Sequence, residues 1–135
     1  MNTFFIIFAL FLIGAKAETP EDFEAKRTAN HEACSKISKL DEATIKTMRS
    51  GTFDETNPAV QEHVYCYTQK VGFINEKAEL QKDVIRMKMS QQVKNAKLVD
   101  KAIQVCTFPL TGDQKMWACK TLACFYKIAP GVVIL

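Results

Sequence analysis

Cys106-Thr107-Phe108-Pro109-Leu110-Thr111-Gly112-Asp113-Gln114-Lys115-Met116-Trp117-Ala118-Cys119-Lys120-Thr121-Leu122-Ala123-Cys124 holds three of the chain's five cysteines. Phe108 to Gly112 reads as a loop, with proline and glycine close together. Asp113 then caps a helix that runs to about Ala129, because Pro130-Gly131 cannot continue it. Seventeen residues lie between Cys106 and Cys124. Outward from this stretch, 39 residues separate Cys66 from Cys106 and 31 separate Cys34 from Cys66. Each interval is helix-like, so four cysteines read as staples between helices. Cys119 is the odd one out, and spacing alone leaves the pairing open.

The rest of the chain has helical rather than alternating periodicity. Thr19-Pro20-Glu21-Asp22 is a helix start, with a capping hydroxyl, a proline in the first turn and two acids facing the dipole. That helix is expected to reach about Ser38, with Phe23, Cys34 and Ile37 on one side. Asp41 caps a short second helix that Gly51 ends after Met48. Asn57-Pro58 opens a third, carrying Val60, Val64, Tyr67 and Val71 at helical spacing until Gly72. A fourth is expected from Leu80 to Met89, and a fifth from Gln91 to Val105 with Leu98, Val99, Ala102 and Ile103 as its apolar face. The expected class is all-α, with about six helices.

Phe4 to Ile13 is an almost unbroken apolar run, too short to span a bilayer and suited to the core of a secretion signal. Ala15-Lys16-Ala17 offers small residues where a signal peptidase reads, so residues 1–17 are expected to be a signal peptide and 18–135 one secreted domain. Basic and acidic residues number 18 and 15 and are interspersed, as on solvated helix faces. No basic stripe suggests nucleic acid, and no second apolar run suggests a membrane span. Gly131-Val132-Val133-Ile134-Leu135 is an apolar end that either fills the core or walls a cavity.

Cys66-Tyr67-Thr68-Gln69-Lys70-Val71-Gly72 and the Cys106–Cys124 stretch carry a family resemblance. The chain resembles the insect odorant-binding proteins of the pheromone-binding and general odorant-binding family, which have a secretion signal, six helices and six cysteines. In that family the second cysteine stands four residues before the third, where Glu62 precedes Cys66 here. The fifth lies midway between the fourth and sixth, where Lys115 divides the 17 residues into eight, one and eight. Two cysteines that pair with each other are missing together, as in the minus-C subgroup. The resemblance implies the bridges Cys34–Cys66 and Cys106–Cys124, with Cys119 a free thiol, buried or bridging two chains. Glu62 and Lys115 are then either an ion pair in place of a bridge or two unrelated surface residues.

The resemblance implies a hydrophobic cavity enclosed by the helices, and a carrier rather than an enzyme. On the last helix Trp117, Thr121, Phe125 and Ile128 form a stripe, which the resemblance makes a pocket wall. Val64, Ile103 and Phe125 align with the family's pocket positions. Met48, Val60, Phe73, Ile85 and Met89 join them on periodicity, and Ile134 as part of the tail. Tyr67 and Thr121 are the candidates for a polar contact to the ligand. The implied partners are a small hydrophobic ligand and an olfactory receptor, with a monomer or weak homodimer as the state in solution.

No catalytic or metal-ligating constellation appears, and no cofactor is expected. His31 and His63 sit beside Glu32 and Glu62, which reads as surface placement, or as groups titrating near neutrality to release ligand. The rival reading is a secreted four-helix cytokine-like signalling protein with no internal ligand, which leaves the eight-one-eight spacing unexplained.

Overall fold

The structure is a computed structural model that describes residues 19–129; the expected signal and the apolar tail, Ile134 included, lie outside the described residues. Local sequence sets most helix boundaries. α1 (Pro20–Ser38) begins in a capping box: the Asp22 amide donates to Thr19 Oγ1 at 3.1 Å and the Thr19 amide to Asp22 Oδ2 at 3.3 Å. It ends at Lys39, whose φ of 58° is left-handed and whose amide returns to the Ser35 carbonyl. Asp41, Asn57, Asn95 and Asp113 accept first-turn amides at the starts of α2 (Glu42–Arg49), α3 (Pro58–Lys70), α5 (Ala96–Val105) and α6 (Gln114–Ile128).

α4 (Lys82–Gln92) departs from the sequence expectation at both ends. Leu80 is held in an antiparallel bridge with Ile74, so the helix starts two residues late. At the other end Gln91 and Gln92 continue α4 instead of opening α5. The break falls at Val93, whose backbone is extended, and the Asn95 side chain then caps α5 by accepting the Lys97 amide at 3.1 Å.

α6 is the central element and packs on α3 and α5, while α1 packs on α3 and α4 on α5. Trp117, Ala118, Cys119, Thr121, Leu122, Ala123, Phe125 and Tyr126 of α6 are all buried, which makes it a helix surrounded by others. The main core gathers Met48, Val60, Val64, Tyr67, Ile85, Met89, Val99, Leu122 and Phe125. Each such side chain contributes about 1.5–3 kcal/mol of burial. Ile74, Ala78, Trp117 and Ala118 form a separate small cluster. Cys34–Cys66 ties α1 to α3 and Cys106–Cys124 ties the end of α5 to α6, with Cα atoms 5.7 and 5.6 Å apart.

The inner face of α1 is polar. Its buried residues are Arg27, His31, Cys34 and Ser38, at spacings of four, three and four. Ile37, expected on the inner side with Cys34, is 58% exposed. Among the described residues no helix is long and apolar enough to cross a membrane.

Candidate functional site

A cavity of about 100 Å³ opens between the N-terminal half of α1, the end of α3 with the turn after it, and the C-terminal half of α4. α1 contributes Phe23, Lys26, Arg27 and Asn30; α3 and its turn contribute Tyr67, Val71 and Phe73; α4 contributes Lys88, Met89 and Gln92. Phe23, Arg27 and Asn30 reach it together because they follow one another at spacings of four and three along α1. The lining grades from exposed Lys26, through half-buried Lys88 and Gln92, to buried Tyr67, Phe73 and Met89. Lys88 Nζ donates to the Val71 carbonyl at 2.7 Å and so tethers α4 to the end of α3.

Of the residues singled out in the sequence, this cavity brings together Tyr67, Phe73 and Met89. Val64, Ile85, Ile103 and Phe125 lie in the main core behind it. Met48 and Val60 belong to that core too, and also face a wider groove beside α2, with Phe53. Trp117 is elsewhere: it packs in the small cluster, and its indole N–H donates to the Phe108 carbonyl at 3.0 Å. Thr121 is buried and its hydroxyl donates to the Trp117 carbonyl at 2.8 Å, within its own helix. Sequence reading missed the α1 wall because that wall is built from Lys26, Arg27 and Asn30, which apolar periodicity does not mark. The four- and three-residue steps from Phe23 were the available signal.

His31 and His63 are not surface residues, and this corrects the sequence expectation. They are 6% and 0% exposed, and His31 Nδ1 lies 2.9 Å from His63 Nε2, one ring N–H donating to the other's bare nitrogen. His63 Nδ1 is 3.0 Å from Ser38 Oγ. On the other side the His31 ring stacks on Tyr67 at 4.4 Å between centroids. Adjacency to Glu32 and Glu62 misled because helix neighbours in sequence point to different sides. Burial, and for His31 also the nearby His63, pushes both imidazoles down to about 4. Burial pushes the Tyr67 phenol up to about 12, so it meets the cavity as a neutral hydroxyl.

Ion pairs also join neighbouring helices. Glu24 accepts from Arg27 at 2.7 Å and from Arg49 at 2.6 Å, joining α1 to the end of α2, and the Arg49 bond holds its carboxyl below the usual range. Lys115 of α6 pairs with Glu62 of α3. Cys119 is a free, fully buried thiol. Among the described residues no group of three histidines, cysteines or acids is placed to hold a metal ion.

The profile of the PBP/GOBP family matches residues 16–128. Among solved structures, the chain is similar to the fatty acid binding protein OBP56a from the oral disk of the blowfly Phormia regina. The TM-score is 0.66 at 23% identity, covering 83% of this chain and 96% of that one. No curated protein sequence matches the chain.

Proposed function

The chain belongs to the PBP/GOBP family, and from that premise we propose that it is a secreted, non-catalytic carrier of small hydrophobic ligands. The observation that carries the reading is the cavity walled by Phe23, Tyr67, Val71, Phe73 and Met89. Aromatic rings and a pliant thioether suit apolar molecules of varied shape, with the Tyr67 hydroxyl available for one hydrogen bond. At about 100 Å³ the space admits a short aliphatic ligand or one end of a longer one. Each 100 Å² of apolar ligand surface buried there is worth about 2.5 kcal/mol before the cost of immobilising the ligand.

The cargo would be an odorant, a pheromone or a similar semiochemical, taken up in extracellular fluid and passed to an olfactory receptor. The fatty acid binding named for the blowfly protein fits the same class of cargo. Val64, Ile85, Ile103 and Phe125 act as a second layer that sets the depth of the cavity, and residues 1–17 serve as the secretion signal. Displacement of a fluorescent apolar probe by candidate volatiles tests the proposal. Saturable one-to-one uptake at micromolar concentration is the expected result. No uptake at high micromolar concentration overturns it in favour of a helical signalling protein.

A further inference from the structure

We infer that the outer face of the α4–α5 pair docks the protein on anionic lipid bilayers. The inference goes beyond the carrier reading and stands on a different face of the molecule. Its ground is an uneven distribution of charge. Residues 82–101 hold six basic side chains against two acidic, whereas the other described residues hold eleven against twelve. Interspersed along the chain, these cations are gathered by the fold. Lys82, Arg86, Lys94, Lys97 and Lys101 are all exposed. Ile85 and Met89 of α4 and Val99, Ala102 and Ile103 of α5 take the buried sides. Lys82 with Arg86, and Lys97 with Lys101, repeat four residues apart on the sides left outside.

The two acids do not cancel this charge. Asp83 and Asp100 both pair with Arg86, at 3.4 and 3.2 Å, and the second pair ties α4 to α5. Among the described residues no carboxylate pairs with Lys82, Lys94, Lys97 or Lys101. Four ammonium groups on one helix pair add their attraction to an anionic surface, and flexible stems let each reach a headgroup. Met87 is 56% exposed and Val105 48%, the latter four residues after Lys101. Apolar side chains set among cations gain by entering the headgroup boundary of a bilayer, which a soluble polyanion does not offer. α4 is also a wall of the ligand cavity, through Met89 and Gln92. Docking by its outer side brings that wall alongside the lipid, where apolar cargo partitions.

Flotation of the secreted chain, residues 18–135, with lipid vesicles tests this. The vesicles are phosphatidylcholine alone and a three-to-one mixture of phosphatidylcholine with phosphatidylserine. At low salt, binding to the mixed vesicles is expected to be at least about tenfold stronger. It should fall steeply as salt approaches about 0.5 M, where screening shortens to a few ångströms. Lys97→Glu/Lys101→Glu should lose most of the binding. Lys120→Glu/Lys127→Glu makes the same change in net charge at exposed positions of α6 and should retain it. Equal loss in the two double variants overturns the assignment to this face. Equal binding to both kinds of vesicle overturns the recognition of anionic lipid. Retention on dextran sulfate without vesicle binding overturns the bilayer in favour of a soluble polyanion. Each of these results leaves the carrier reading standing.

Discussion

His31 Nδ1 and His63 Nε2 lie 2.9 Å apart at the contact between α1 and α3, and the pair is buried. A neutral pair shares one proton across that gap. Protonating both rings would leave two cationic donors facing each other with Arg27 nearby.

Stability is therefore expected to depend on pH between about 6.5 and 4. Both imidazoles are pushed from 6.5 down to about 4, so in this window the unfolded chain binds more protons than the folded one. Stability is complete above 6.5 and falls as pH drops through the window. Urea midpoints measured at pH 7, 5.5 and 4.5 should decline in that order. Replacing both rings in His31→Phe/His63→Leu should flatten this part of the profile.

Lys115 and Glu62 join α6 to α3 with side chains 44% and 29% exposed. Water screens such a pair, so Lys115→Ala should cost less than about 1 kcal/mol. Glu62→Cys/Lys115→Cys, by contrast, closes a loop of about 50 residues, and chain entropy gives about 4 kcal/mol for it. Thermal melting of the oxidised and reduced double variant measures that gain. Equal Tm values in the two states would show that the helices do not meet closely enough for a bridge.

Cys119 is 0% exposed, and burial pushes its thiol up to about 12, so it should be unreactive in the folded protein. A thiol reagent at pH 8 should label it only above the unfolding midpoint. Non-reducing electrophoresis should give a monomer band. Cys119→Ser should destabilise by about 1–3 kcal/mol through a buried hydroxyl. Cys119→Ala should cost less, since it introduces no polar group.

Gly51 has φ +94°, and a Cβ built on it would stand 3.1 Å from Cδ1 of Tyr126. Gly112 has φ +76° with no atom within 4 Å of the same position. Both alanine variants incur the left-handed strain of about 1 kcal/mol. Only Gly51→Ala must also displace the Tyr126 ring. Its Tm should fall clearly further than that of Gly112→Ala.

How legible the molecule was in its sequence depended on what kind of bond held each part. The helix starts at Thr19, Asp41, Asn57 and Asp113 could be read because capping is a local contest won by one side chain. Leu80 could not be placed correctly, because its bridge to Ile74 is a tertiary contact that overrides helical periodicity. Phe73 and Met89, singled out by periodicity, and Tyr67, singled out for its hydroxyl, all line the cavity. Arg27, His31 and Ser38 were missed because a buried polar face looks, residue by residue, like a solvated one. Ile37 shows the converse, an apolar residue left outside.

The polar inner face of α1 also has a thermal consequence. Apolar contacts weaken on cooling and dominate the heat capacity of unfolding, whereas hydrogen bonds and ion pairs do neither to the same degree. Loosening of the polar contacts between α1 and α3, which Cys34–Cys66 keeps tied together, therefore has a flatter temperature dependence than melting of the core around Phe125 and Leu122. Cold should loosen the centre of the molecule more than the seam at its edge.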